Sequence, residues 1–141
     1  MFSIRSLVPA FILIVVAICP EVSSACKCAQ PPPPKEAMKG AHAVFAGKVI
    51  AIKIDGFQKH VRFKVEKIWK GEMGNEVIVT TPVRGASCGY GFTQQGDGKY
   101  LVYCYLNKKT KAYMTNICTR TKTLAKAAYD MKALGVSRAP K

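Results

Sequence analysis

Between Lys59 and Trp69 the chain reads KHVRFKVEKIW, and its middle alternates without a break. Val61, Phe63 and Val65 fall on one side of an extended chain, and Arg62, Lys64 and Glu66 on the other. A period of two belongs to a half-buried strand, and an antiparallel sheet with one wet face is what uses it. The flanking segments agree. AVFAGKVIAIKI, from Ala43, is rich in β-branched residues and ends at Asp55-Gly56, a hairpin signal. EVIVTT, from Glu76, forms a third strand, KYLVYCYL, from Lys99, a fourth, and AYMTNIC, from Ala112, a fifth. Gly85, Gly89, Gly91, Gly96 and Gly98 punctuate a loop region from Pro82 to Lys99.

The C-terminal stretch has another period. In TKTLAKAAYDMKALG, Leu124, Ala128, Met131 and Leu134 recur at helical spacing, and Gly135 stands where a C-cap belongs. Such a helix is expected to dock its apolar stripe on the sheet. The whole pattern predicts a mainly β fold: a five-stranded OB-fold-like barrel with a C-terminal helix. There is no internal repeat, and 141 residues leave room for one domain.

The first 25 residues read as a cleaved signal peptide. Arg5 gives the charged start, Leu7 to Ile18 the apolar run, and Ser23 and Ala25 the small residues before a cleavage site. The apolar run is short of the ~20 residues of a membrane span. Cleavage after Ala25 makes residues 26–141 the mature domain, secreted and extracellular, with Cys26 first. Lipidation of Cys26 is disfavoured, because Ser23 stands where a lipobox carries Leu.

Five cysteines then remain: Cys26, Cys28, Cys88, Cys104 and Cys118. In an oxidising compartment they staple a small domain, and an odd count leaves one over. Cys26 and Cys28 flank a single residue, and in a strand-like segment each is expected to reach a different distant partner. A C-x-C metal site is the alternative, but no His/Cys cluster of the needed count follows. AQPPPPKEAMKG comes next, and its four prolines predict a stiff polyproline spacer.

No active site emerges. His42 and His60 lie outside any metal-ligand spacing, HExxH and GxSxG do not occur, and the acidic residues are scattered. The chain is therefore expected not to be an enzyme and to hold no cofactor of its own. Trp69 is expected to pack in the core or at the barrel rim. The net charge of +14 favours acidic partners such as heparan-sulfate-like polyanions, anionic surfaces or acidic protein patches, with no nucleic acid for a secreted chain. The expected state is a monomer without a membrane span.

CKC at the mature start, VEKIWKG, SCGYGF, YLVY and ICTRT together resemble the netrin-like module. They are most similar to the N-terminal inhibitory domain of tissue inhibitors of metalloproteinases, over Cys26 to about Gly135. The resemblance implies an OB-type barrel stapled by Cys26–Cys88 and Cys28–Cys118, with Cys104 left over. A third family disulfide is absent, Met38 lying about where its first Cys belongs. The resemblance further implies a function: the α-amine and carbonyl of Cys26 chelate the zinc of a target metalloproteinase. Cys26, Lys27, Cys28 and Ala29 with Ala86, Ser87 and Cys88 then form one protease-binding ridge. Lys27 enters the S1′ pocket, where the family commonly has Thr or Ser, which implies a deep, wet or acidic pocket in the target. The alternative is a non-inhibitory netrin-like module that binds heparin-like polyanions.

Overall fold

Asp55 pairs with Gln58 across a two-residue turn in which Gly56 takes the left-handed φ of 56°. That turn joins β1 (Ala43–Asp55) to β2 (Gln58–Lys70), both long and antiparallel. The computed structural model describes residues 26–83 and 87–141. The leader expected over residues 1–25, its cleavage site and Ala86 lie outside the described residues.

β3 (Glu76–Pro82) continues the sheet antiparallel to β2, and β4 (Lys99–Leu106) pairs antiparallel with the first half of β1. The gap between them is closed by β5 (Tyr113–Met114), parallel to β3 and antiparallel to β4. The order β1-β2-β3-β5-β4 therefore returns to β1 as a five-stranded ring, with β6 (Lys122–Thr123) added on β4. This is the mainly β, OB-like fold that the alternation predicts, stapled by two disulfides.

Two cores explain the strand sequences. Inside the ring, Phe45, Phe63, Phe92 and Tyr100 pack edge to face, with centroids 5.4 Å apart for Phe45–Phe63 and 5.0 Å for Phe92–Tyr100. Outside it, Val44, Leu101 and Tyr103 are buried under α1 (Pro34–Gly40) and α2 (Ala128–Leu134). Adjacent residues of β4 thus enter different cores, which is why YLVYC shows no polar alternation. Trp69 packs on the outer core, and its Nε1 donates to the Gly135 carbonyl at 2.9 Å.

Three expectations change. The segment after the prolines is not all spacer: Pro34 starts helix α1, its ring presetting φ at a position where no backbone donor is needed. The C-terminal helix begins only at Ala128, after a 3-10 turn over Leu124–Lys126. That tighter turn shifts the phase, so Ala127 is buried and Ala128 exposed. The fifth strand shrinks to two residues. Past Thr115 the Asn116 side chain accepts the Cys118 N–H at 2.9 Å, which folds the backbone out of the ladder.

Among the described residues no helix is long and apolar enough to cross a membrane.

Candidate functional site

Both disulfides converge on one short segment. Cys26 is bonded to Cys88 and Cys28 to Cys118, with Cα–Cα separations of 5.5 and 5.1 Å. The two bridges run to different parts of the chain, Cys88 and Cys118, and so fix the segment at two points. Cys26 is half-buried, while Lys27, Cys28 and Ala29 are exposed. Ser87 is exposed beside half-buried Cys88, so six of the seven expected ridge residues lie in one place. The seventh, Ala86, is outside the described residues. As the sulfurs of Cys26 and Cys28 are spent in disulfides, neither is a thiolate, and the C-x-C metal alternative has no ligands. Among the described residues no three His, Cys, Asp or Glu side chains gather to hold a metal.

The loop that receives Cys26 is built to hold its shape. Cys88 takes a φ of 60°, uncommon for a residue with a Cβ. Gly89 is required next to it: a Cβ there would lie 1.7 Å from the Pro82 carbonyl oxygen. The Cys88 carbonyl accepts the Ile117 N–H at 3.0 Å, and the Tyr90 N–H donates to Thr81 Oγ1 at 2.8 Å. Tyr90 then stacks on Phe92, with centroids 4.5 Å apart, which roots the loop in the barrel core.

A second anchor holds the segment from behind. Asp130 of α2 is 1 % exposed, yet it receives Arg120 Nε and Nη2 at 2.8 and 2.7 Å, Lys122 Nζ at 3.0 Å and the Tyr103 hydroxyl at 3.1 Å. Burial alone would push this carboxyl up. The hydrogen bonds and charges of Arg120 and Lys122 outweigh burial and hold it below the usual carboxylate range. Tyr103 is pushed the other way, by burial first and then by the Asp130 charge. Arg120 also donates Nη1 to the Pro32 carbonyl at 3.1 Å, so the cluster ties the proline stretch to the body. This anchor was not read from the sequence. Its signal is the spacing of Asp130 between Ala127 and Leu134, which puts a carboxylate on the apolar face of α2.

His60 is half-buried on its strand, with Nδ1 3.0 Å from Thr80 Oγ1. Cys104 is buried inside the ring and unpaired, and burial pushes its thiol pKa up. No known protein family and no curated protein matches the chain.

Proposed function

We propose that this chain is a secreted, netrin-like inhibitor of zinc metalloproteinases that acts through Cys26 and is not itself an enzyme. One observation supports the reading above the others: two disulfides are used to hold a three-residue segment, half-buried Cys26 with exposed Lys27 and Cys28, beside Ser87 and Cys88. A structural staple needs one bridge there, and the second fixes the segment's orientation.

Cleavage after Ala25 frees the α-amine of Cys26. Its ordinary pKa is about 8, so near neutrality the lone pair becomes available at little cost. The amine nitrogen and the Cys26 carbonyl oxygen then close a five-membered chelate on the protease's zinc. They take the coordination place of the water that the protease must activate. The Cys26–Cys88 bridge, the Gly89 contact and the Arg120–Pro32 tie lower the ordering cost of binding. Lys27 sets the specificity, since its ammonium favours a pocket with water or carboxylates.

The test is N-terminal sequencing and intact mass of the secreted protein, followed by titration against a panel of zinc metalloproteinases. The expected result is a Cys26 terminus, two disulfides and stoichiometric inhibition of at least one member. A form with one extra residue before Cys26 should be inactive; equally tight inhibition by that form would end the chelation mechanism.

A further inference from the structure

The register of the sheet sets cations opposite cations. Lys48 of β1 is the direct partner of Lys64 in β2 and of Lys99 in β4, so three lysines cross the outer face in one row. Directly opposed like charges destabilise a sheet. Lys99 is relieved by Glu66, whose Oε1 lies 2.9 Å from its ammonium. Among the described residues Lys48 and Lys64 have no ion-pair partner, and neither do Lys53 and Arg62.

The row continues along the strands. On the same face as Lys64, β2 carries Arg62 and then His60, and Lys53 of β1 lies directly opposite His60. At ~3.4 Å per residue the stretch from Lys64 to His60 extends about 14 Å. Lys53, His60 and Arg62, with Ala51 and Ile78, line a hollow of about 130 Å³. His60 holds Nδ1 against Thr80 at 3.0 Å, which leaves Nε2 uncommitted. Three carboxylates reach this face: Glu66, committed to Lys99, Glu76 opposite Lys64, and Asp55 at the hairpin end.

We propose that this outer face of β1 and β2 binds a linear sulfated polysaccharide, with Lys48, Lys64, Arg62 and Lys53 contacting its anionic groups and the hollow seating one of them. The face is repulsive when empty, and an anionic chain laid along it removes the repulsion. Disulfides belong to an oxidising compartment, where the linear polyanion at hand is a sulfated polysaccharide. The cation columns carry no Phe, Tyr or Trp on which nucleic-acid bases would stack. The site does not rest on the protease reading. Lys48 lies seven residues, about 24 Å, from the hairpin end at Asp55. That end is the part tied toward the ridge, through the Val83 N–H to the Phe57 carbonyl at 2.9 Å. The Lys48–Lys64 end of the row therefore stands clear of the ridge, whereas Lys53 and the hollow lie toward the tied end.

The experiment compares three forms of the full chain, produced through a secretory route, on immobilised heparin oligosaccharides at rising NaCl. They are the native protein, K48E/R62E/K64E, and K108E/K109E/K132E as a control of identical charge change at exposed positions elsewhere. Binding by the face variant should weaken roughly ten-fold or more at physiological salt and depend less on salt, while the control stays near native. Should the face variant not fold, K48Q/R62Q/K64Q gives the same reading, since it removes the repulsion instead of reversing it. Equal weakening by both triple variants would overturn the site, as would no native binding at physiological salt. Tighter native binding to phosphatidylserine vesicles than to heparin would overturn the proposed occupant.

Discussion

Arg120 holds Asp130 with two nitrogens, Nε to Oδ2 at 2.8 Å and Nη2 to Oδ1 at 2.7 Å, and spends a third on the Pro32 carbonyl at 3.1 Å. One side chain therefore joins the loop after Cys118, the C-terminal helix and the stretch that follows the cysteine pair. The planar fork of arginine permits this, whereas a lysine at the same place offers one point of charge.

Truncating Arg120 to Ala should destabilise the protein by about 2–4 kcal/mol, read from urea unfolding. Breaking a buried pair costs ~3–5 kcal/mol when the remaining charge is abandoned, but Lys122 and Tyr103 still hold Asp130 here. Arg120→Lys should recover only part of the loss.

Acid should weaken the fold through the same carboxylate. Asp130 titrates below its ordinary value when folded, so in acid the unfolded chain takes up its proton first, near ~3.9. The stabilisation is complete above that pH and is lost as pH falls through the lower folded value. Urea midpoints of the native protein should drop between about pH 4 and pH 2 more steeply than those of Asp130→Asn. Parallel curves would mean that Asp130 does not carry the acid sensitivity.

The barrel was readable because its signal is local. Val61, Phe63 and Val65 show the buried face of β2 within five residues, and Asp55-Gly56 marks its turn. What escaped depends on distant packing. The burial of both faces of YLVYC follows from α1 and α2 lying over Leu101 and Tyr103, which no window along β4 contains. The phase of the last helix turns on three residues of 3-10 geometry, and helix α1 stands behind prolines that also suit an extended spacer. Spacing allowed Cys26 and Cys28 to reach two different distant partners but did not choose them. Choosing Cys88 and Cys118 needed the resemblance, because separations of 62 and 90 residues leave no local trace. The Arg120–Asp130 pair stood in view as a carboxylate on an apolar face, but its partner lies ten residues away across a loop.

Gly89→Ala should distort the loop that carries Cys88. The added Cβ would lie 1.7 Å from the Pro82 carbonyl, so the two backbones must separate. A cost of about 2–3 kcal/mol is expected in thermal or urea unfolding. Any inhibition should fall further than stability does, because the displaced loop carries the bridge to Cys26. A fully stable, fully inhibitory variant would show that the loop does not position the ridge.

Cys104 should behave as an apolar side chain with no redox role. It is 1 % exposed inside the ring, and burial raises its pKa, so the reactive thiolate is disfavoured. A thiol reagent should leave the folded domain unlabelled and modify one thiol in residues 26–141 after unfolding without reductant. Cys104→Ser should cost about 1–3 kcal/mol, since it buries a hydroxyl among Phe45, Val102 and their neighbours. Rapid labelling of the folded protein would contradict this placement.

Lys27 gives the sharpest test of the proposed inhibition. It is exposed between two bridged cysteines, so replacing it should leave unfolding unchanged within experimental error. Under chelation by Cys26, its side chain enters the pocket next to the zinc. An ammonium that enters an apolar pocket must shed its hydration or snorkel back out, whereas one facing carboxylates or water keeps its partners. Lys27→Thr should therefore tighten inhibition of proteases with apolar pockets by roughly ten-fold or more and weaken it for those with acidic ones. Inhibition constants for two proteases that differ in this pocket decide the matter. If both respond equally to the substitution, Lys27 does not enter the pocket, and the chelation geometry loses its specificity argument.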